Sequence, residues 1–272
     1  MSPARPPEGA HSLSEGPGRR PEGARIRHAL ITGASRGIGA AIARALAEDG
    51  WTLTLTAREA PRLLAAELDA HAVAMDQTDA VSVAAAFAAA RAAKGPLTAL
   101  INNAGAVETA PFAKTSPELW QRLIDVNLTG PFLCCQAALA DLKAAGTDGR
   151  IVNIASTAAL KGYAYVSAYV AAKHGVLGLT RSLALELAKD GVTVNAVCPG
   201  YTETDIVKDG IAKVMAKTGR SEAEARAGFT QTNPQGRLVQ PGEVAAAVRW
   251  LCSPAAGAVN GQAIAVCGGE TM

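Results

Sequence analysis

The chain of 272 residues is long enough for one large α/β domain or two small ones. Its formal net charge of +2 provides no broad basic surface, which argues against nucleic acid or an acidic membrane as a partner. No uninterrupted apolar run approaches the ~20 residues that a membrane-spanning helix needs. Apolar residues make up 49% of the chain, enough for a substantial core, so the composition favours a protein that folds in water.

The chain has five cysteines, which is an odd number, and their spacing fits neither a disulfide framework nor a metal site. The four histidines are scattered in the same way, so we predict no metal. Buried, reduced thiols are typical of the cytoplasm, which is the predicted location. The cysteines are Cys134, Cys135, Cys198, Cys252 and Cys267.

Residues 1–25 differ in composition from the rest of the chain. They are rich in Pro, Gly and Arg, lack apolar periodicity, and repeat RPPEGA as RPEGA. Such a segment cannot bury enough surface to offset the entropy of ordering, so we predict a disordered leader. It has no apolar stretch for a secretory signal, and its glutamates argue against a transit peptide.

From residue 28 onward, short β-prone runs alternate with longer Ala/Leu-rich segments of helical periodicity. Strands are predicted at 28–32, 52–57, 71–75, 97–103, 150–156, 192–198 and 262–268. Helices are predicted at 38–49, 59–68, 78–93, 117–145, 167–189 and 241–252. Several strands are nearly continuous apolar runs, as expected when helices cover both faces of a parallel sheet. The pattern predicts an α/β, doubly wound Rossmann fold with a seven-stranded parallel sheet in a single domain, 26–272.

A glycine-rich loop follows the first predicted strand and opens the first helix, with the spacing GxxxGxG. Glycines at such a place permit a tight turn and let the backbone approach a pyrophosphate at the helix N-terminus. The position between a strand and a helix makes the match specific for dinucleotide binding. The loop residues predicted to bind the cofactor are Gly33, Ser35, Arg36, Gly37, Ile38 and Gly39.

With this loop the chain resembles the short-chain dehydrogenase/reductase family, whose further motifs follow in order over residues 28–272. The ordered set is far more specific than any one motif. It comprises Asn102-Asn103-Ala104-Gly105 after the fourth strand, Asn127 in the next helix, Ser156 after the fifth strand, Tyr169-x-x-x-Lys173, and Pro199-Gly200 after the sixth strand.

The resemblance implies that Tyr169 is the general acid and that Lys173, one helical turn away, is its partner. A phenol titrates at about 10, and a nearby ammonium is expected to lower that pKa toward the working range. Ser156 is expected to donate to the substrate oxygen, where negative charge develops during hydride transfer. Asn127 is expected to hold a water that links Lys173 to solvent. Tyr165 shares the helix face, but its neighbour four residues on is Tyr169 rather than a cation.

The resemblance also implies a set of cofactor contacts beyond the glycine loop. Asp76 and Gln77 match the pair that contacts adenine in the family, and Thr202 and Thr204 are expected near the nicotinamide carboxamide and the phosphates. The remaining predicted contacts are Asn103, Ala104, Gly105, Tyr169, Lys173, Pro199 and Gly200.

The end of the second strand favours NADPH over NADH. A Rossmann site for NAD usually carries an acid there, which binds the ribose 2′-hydroxyl. Here the strand ends Thr56-Ala57-Arg58, with no acid before Glu59. Arg58 and Arg36 suit a 2′-phosphate, because guanidinium groups form charge-assisted hydrogen bonds with phosphate.

The segment at about 203–238 is predicted to form a helical lid over the substrate, with Tyr163 and Tyr165 as pocket or packing residues. The NAVCPG run, this lid and the final VCGGETM resemble 3-oxoacyl-thioester and polyketide ketoreductases. Fatty-acid reductases of the family carry carrier-docking arginines where this chain has Leu133 and Leu185. This departure weakens the argument for a carrier protein and leaves a CoA thioester or a small ketone open.

The resemblance therefore implies NADPH-dependent reduction of a ketone to a secondary alcohol by a homotetramer. Cys134 and Cys135 are expected in or near a subunit interface. Two alternatives stay open, namely an NAD-dependent hydroxyacyl, hydroxy-acid or alcohol dehydrogenase working oxidatively, and a catalytically silent NADPH-binding sensor or scaffold. The complete catalytic set favours an enzyme, since a silent member is expected to have lost at least one of its residues.

Overall fold

A computed structural model describes residues 27–272, so the predicted leader at residues 1–25 lies outside the described residues. Its strands form one parallel sheet in the order β3-β2-β1-β4-β5-β6-β7, which confirms the doubly wound prediction. The strands are β1 (His28–Thr32), β2 (Thr52–Ala57), β3 (His71–Ala74), β4 (Ala99–Asn102), β5 (Arg150–Ile154), β6 (Thr193–Pro199) and β7 (Ala263–Val266).

Helices cover both faces of the sheet, and two of them, α7 and α8, lie within the segment predicted as the lid. The helices are α1 (Gly37–Glu48), α2 (Arg62–Glu67), α3 (Ala80–Lys94), α4 (Pro117–Ile124), α5 (Gly130–Ala145), α6 (Ser167–Glu186), α7 (Asp205–Thr218), α8 (Glu222–Thr230) and α9 (Pro241–Leu251). The helix predicted at 117–145 is interrupted by a π-helical turn, Asp125–Thr129.

The alternating direction of the side chains along each strand explains why the strand sequences are apolar throughout. In β1, Ala29 and Ile31 pack into the core on the side of α1 and α9, whereas Leu30 packs into the core on the side of α3 and α5. Successive side chains of a strand point to opposite faces, so a sheet with two covered faces needs apolar residues at every position.

The strand order reverses between β1 and β4, and this reversal positions the site. The connections after β1 and β4 leave the sheet in opposite directions, which opens a crevice at the carboxyl ends of the strands. The glycine loop follows β1, the Asn-Asn-Ala-Gly segment ends β4, and Ser156 follows β5. All three predicted motifs therefore reach the same edge of the sheet.

Cys134 and Cys135, which were expected in or near a subunit interface, are buried inside the chain's own core. Both thiols lie on the side of α5 that faces the sheet, in the core that contains Phe87 and Leu100. Burial raises the pKa of both thiols, and all five cysteines are free. The periodicity of the helix did not reveal which of its faces meets the sheet.

The segment Pro117–Asp148 is long and apolar enough to cross a membrane by length and composition alone. In this fold its second half, α5, packs on the sheet through Cys134, Ala138 and Leu142, which are fully buried. The segment therefore has the place of a core helix.

Phe87 provides a test of the core on the side of α3. It is fully buried, so Phe87→Ala is expected to lower the free energy of unfolding by about 3–5 kcal/mol through lost burial and the cavity left behind. Phe112, which is 79% exposed, is the control. Phe112→Ala is expected to change the free energy of unfolding by less than about 0.5 kcal/mol. Urea denaturation of both variants gives the comparison, and equal effects would contradict the described packing.

Candidate active site

The glycine loop forms a cradle that no larger residue would permit. Gly33 and Gly37 have φ of +64° and +56°, and a Cβ on Gly39 would lie 2.4 Å from the carbonyl oxygen of Gly33. Arg36 caps α1 without a side-chain hydrogen bond, so its side chain does not occupy the first-turn N–H groups. Such an open helix N-terminus, with the backbone accessible, fits a pyrophosphate.

The end of β4 holds this loop in place from behind. The side-chain amide of Asn103 donates to the carbonyl oxygens of Thr32 at 2.9 Å and Gly33 at 3.0 Å. The backbone N–H groups of Asn103 and Ala104 both donate to Thr32 Oγ1 at 3.0 Å. Asn103 and Ala104, which were predicted as cofactor contacts, therefore hold the glycine loop in shape together with Thr32, which the sequence did not indicate.

The two arginines predicted to read the 2′-phosphate lie at the ends of neighbouring strands. Arg36 follows β1 and lies 3.6 Å from the carboxylate of Asp205, and both side chains are exposed. Arg58 follows β2, is exposed, and contributes to a lowered pKa of Asp76, whose main cause is a hydrogen bond from the backbone of Thr78. Both guanidinium groups are thus at the surface, that of Arg36 within the glycine loop and that of Arg58 near Asp76.

Gln77, which was predicted to contact adenine, is buried and bonded to two backbone carbonyl groups. Its side chain is buried, and Nε2 donates to the carbonyl oxygens of Ala104 at 3.2 Å and Val126 at 2.6 Å. The amide thereby joins the Asn-Asn-Ala-Gly segment to the π-helical turn. Asp76, its predicted partner, is exposed at the carboxyl end of β3.

The π-helical turn directs Asn127 into the protein. This side chain is fully buried, donates to the carbonyl oxygens of Ala106 at 2.8 Å and Leu123 at 2.9 Å, and accepts from the N–H of Ala106. A Cβ on Gly105 would lie 2.9 Å from Asn127 Oδ1 and 3.6 Å from Lys173 Nζ, so this glycine leaves space beside both groups. Turns of this kind are frequent at functional sites.

Lys173 is buried within α6. Its ammonium donates to the carbonyl oxygen of Ile154, at the end of β5, at 2.9 Å and lies 5.6 Å from the centre of the Tyr169 ring. Burial lowers the pKa of Lys173 to about 8, because desolvation penalises the charged form. The structure thus brings Asn127, Lys173 and Tyr169 together, as the sequence predicted.

The pKa of Tyr169 shifts in the direction opposite to the expected one. Burial raises it, and a hydrogen bond from Ser156 opposes this shift only in part. Lys173 does not offset the burial, since its ammonium is itself desolvated and bonded to a carbonyl group. Tyr165 is 66% exposed, and its carbonyl oxygen accepts from the N–H of Ala110, so it lies outside this buried group.

Ser156 begins a short 3₁₀ turn, Thr157–Ala159, immediately after β5. Its Oγ accepts from the N–H of Ala158 at 3.1 Å, which fixes the side chain as an N-cap. The hydroxyl hydrogen is therefore free to point toward Tyr169 or toward a substrate oxygen.

The segment after β6 connects the site to the lid. Thr202 is buried and donates to the carbonyl oxygen of Gly200, which directly follows Pro199, at 3.0 Å. Thr204 begins α7, and its methyl group lies 3.3 Å from where a Cβ on Gly37 would stand. The lid thus starts against the glycine loop, with both threonines near the predicted cofactor.

Glu270, near the carboxyl end of the chain, also lies at the carboxyl edge of the sheet. No sequence motif indicated this residue. Its side chain is buried and is bonded to Tyr163, 107 residues earlier, while its second oxygen lies close to Gly200. For metals, residues 27–272 contain no group of three or more His, Cys, Asp or Glu side chains that could hold an ion.

Comparisons with known proteins agree with this geometry. The family model for short chain dehydrogenases matches residues 27–214. A Streptomyces coelicolor protein assigned as a ketoacyl reductase is 41% identical over 252 residues, covering 89% of this chain and 95% of its own length. The cis-4-hydroxycyclohexanecarboxylate dehydrogenase of Sinomonas cyclohexanicum is 42% identical, with 90% and 96% coverage.

Among solved structures, a variant of the actinorhodin polyketide ketoreductase with NADPH superposes with a TM-score of 0.85 at 39% identity. The match covers 90% of this chain and 97% of that one. The predicted family, the Rossmann fold and the dependence on a nicotinamide dinucleotide are thereby confirmed. The chain belongs to the short-chain dehydrogenase/reductase family and is an NAD(P)-dependent oxidoreductase.

Proposed function

We propose that this protein reduces a ketone to a secondary alcohol with NADPH, and that the ketone is a 3-oxoacyl thioester or a related small ketone. The convergence of Asn127, Ser156, Tyr169 and Lys173 at the carboxyl edge of β4 and β5 carries this proposal. Ser156 is hydrogen-bonded to Tyr169, the Lys173 ammonium lies 5.6 Å from the centre of the Tyr169 ring, and Asn127 Oδ1 and the ammonium both lie beside Gly105.

Each residue of the cluster has a distinct task in the proposed reaction. The glycine cradle would hold NADPH, which would supply the hydride. Ser156 donates a hydrogen bond to the substrate oxygen, where negative charge develops. Tyr169 gives that oxygen its proton, and the raised pKa keeps the phenol protonated beforehand. Lys173 stabilises the phenolate that results, and Asn127 holds the path by which the lysine regains a proton.

The preference for NADPH rests on Arg36 and Arg58. Both are exposed at the ends of adjacent strands, where a ribose 2′-substituent meets the protein in a Rossmann fold. The NADPH bound to the actinorhodin ketoreductase supports the same choice. Asp205 lies beside Arg36, so a bound phosphate would compete with this carboxylate for the guanidinium.

The substrate class is inferred from the relatives and from the surface of two helices. Two matched proteins are named for ketoacyl or polyketide ketone reduction. Leu185 on α6 is 82% exposed, and it stands with Leu133 where carrier-docking arginines are found in related reductases. Without these cations a carrier-protein phosphate has less to bind, which favours a CoA thioester or a small ketone.

An alcohol dehydrogenase working in the oxidative direction is the second candidate, because one relative is named for oxidising a cyclic hydroxy acid. The same cluster serves either direction, with Tyr169 as acid in reduction and as base in oxidation. A silent sensor is disfavoured by the intact cluster.

For location and assembly we propose a homotetramer in the cytoplasm, without nucleic acid or membrane partners.

The first test addresses the proton donor. Tyr169→Phe keeps the ring and removes only the hydroxyl, so it is expected to abolish reduction of a 3-oxoacyl-CoA panel while NADPH still binds. Tyr165→Phe is the matched control, and its activity is expected to stay within a few-fold of wild type. Initial rates and NADPH fluorescence titration give the comparison, and reversed phenotypes would reassign the acid.

The second test addresses cofactor choice. Arg58→Asp is expected to lower kcat/KM for NADPH by at least about tenfold, because a charge-assisted hydrogen bond worth roughly 1.5–3 kcal/mol is lost. The value for NADH is expected to change little, since NADH has no phosphate there. Lys189→Asp, an equal charge change at an exposed distant site, is the control. A wild-type preference for NADH, or an unchanged ratio in Arg58→Asp, would overturn the proposal.

The third test addresses assembly. Phe132 is an exposed apolar side chain on α5, and a tetramer that buries such residues is expected. Light scattering at micromolar concentration should give the mass of four chains of 27.7 kDa. A single monomeric species would contradict this expectation.

A further inference from the structure

The carboxy-terminal segment after β7 turns back beneath the lid. Gly268 and Gly269 have φ of +64° and +94°, and a Cβ on Gly268 would lie 2.1 Å from Asn233 Oδ1. Asn233 is itself buried, with its amide donating to the carbonyl oxygen of Arg237 at 2.8 Å. Only glycine permits this close turn, which brings the next residue, Glu270, into the protein.

The carboxylate of Glu270 is almost completely enclosed, with its side chain 1% exposed. Its Oε1 lies 2.5 Å from the hydroxyl of Tyr163 and 3.2 Å from the ammonium of Lys161. Its Oε2 lies 3.0 Å from where a Cβ on Gly200 would stand, so the chain after β6 packs directly against it. A buried carboxylate needs hydrogen-bond and charge partners. Tyr163 and Lys161 provide them, and both belong to the segment that follows Ser156.

Tyr163 extends this network to the turn that bears Ser156. Its hydroxyl lies 2.6 Å from Thr157 Oγ1 as well as 2.5 Å from Glu270 Oε1. A phenol has one proton, and an ionised carboxylate only accepts, so Tyr163 donates to Glu270 and accepts from Thr157. Burial and the bond to Glu270 raise the pKa of Tyr163, which keeps its proton in place.

The same tyrosine contacts the lid through its ring. Tyr163 packs edge-to-face on Tyr201 with ring centres 6.4 Å apart, and Tyr201 packs edge-to-face on Phe229 of α8 at 5.1 Å. One buried carboxylate thus stands between the Ser156 turn, the chain after β6 and the lid.

We propose that Glu270 is a positioning residue for Ser156. Its carboxylate orients the Tyr163 hydroxyl, which holds Thr157, and Thr157 fixes the backbone of the turn from which Ser156 reaches the substrate oxygen. The carboxy-terminal segment therefore sets the geometry of the group that stabilises negative charge. The expected effect on kcat rests on the proposed ketone reduction. The expected effect on the order of the turn at Ser156 does not.

The kinetic test compares Glu270→Gln, Tyr163→Phe and the control Glu48→Gln, an exposed acid at the last position of α1, at the end of that helix away from the glycine loop. Displacing a positioned group by a fraction of an ångström is costly, so the first two variants are expected to lose at least about fivefold in kcat. NADPH affinity is expected to stay within twofold of wild type, and Glu48→Gln to retain full activity.

A Ser156→Ala background distinguishes positioning from any other role. If Glu270 acts through Ser156, adding Glu270→Gln to Ser156→Ala is expected to reduce kcat less than twofold further. A similar loss in both backgrounds would overturn the proposal, and so would an unchanged kcat in Glu270→Gln. A merely structural residue would lower activity in both backgrounds.

Hydrogen exchange provides a readout that does not depend on turnover. The N–H groups of Ala158 and Ala159 are bonded to Ser156, so their exchange is expected to quicken at least about fivefold in Glu270→Gln and Tyr163→Phe. Exchange in β1 should stay unchanged, which shows that the variants are folded. Unaltered exchange at the turn overturns the inference, whereas a wild-type protein that reduces no ketone overturns only the proposed function.

Discussion

The buried ammonium of Lys173 is the constraint on which the site depends. A charge in this position needs an acceptor, and the carbonyl oxygen of Ile154 provides one at the end of β5. The bond fixes α6 against the sheet, and Ile154 stands two residues before Ser156. Tyr169, one turn before Lys173 on α6, is thereby held beside Ser156. A single hydrogen bond of a buried charge thus fixes the positions of two residues of the proposed catalytic set.

The burial of this charge also has a consequence for stability. The pKa of Lys173 in the folded protein, about 8, lies below its ordinary value of 10.5. Between these values the unfolded chain binds more protons than the folded one, so the lysine's contribution to the free energy of unfolding rises with pH across this window. Below about pH 8 both states are charged, and the full cost of burying the ammonium remains. The protein therefore retains at neutral pH an arrangement that reduces its stability, as is common at functional sites.

The same burial accounts for the unexpected state of Tyr169. Spacing on a helix predicted a cation beside the phenol and hence a lowered pKa, but desolvation acts on both groups and raises the pKa of the phenol. For the proposed ketone reduction this is no disadvantage, because the proposed acid has to hold its proton until the substrate oxygen becomes basic. The π-helical turn and Gly105 leave space next to Lys173, where the proposed return of the proton would take place.

The sequence by itself determined the architecture and indicated the residues of the candidate site. Continuous apolar strands required a sheet covered on both faces, and the glycine spacing and the Tyr169–Lys173 interval are local patterns that one helix or one turn satisfies. Other features depend on contacts between distant segments and were decided only by the tertiary structure. They include the inward face of α5 with Cys134 and Cys135, the burial of Gln77, and the enclosure of Glu270 by Tyr163. A sequence shows which side chains a segment offers, whereas burial and hydrogen-bond partners depend on the neighbours that the fold brings to each of them.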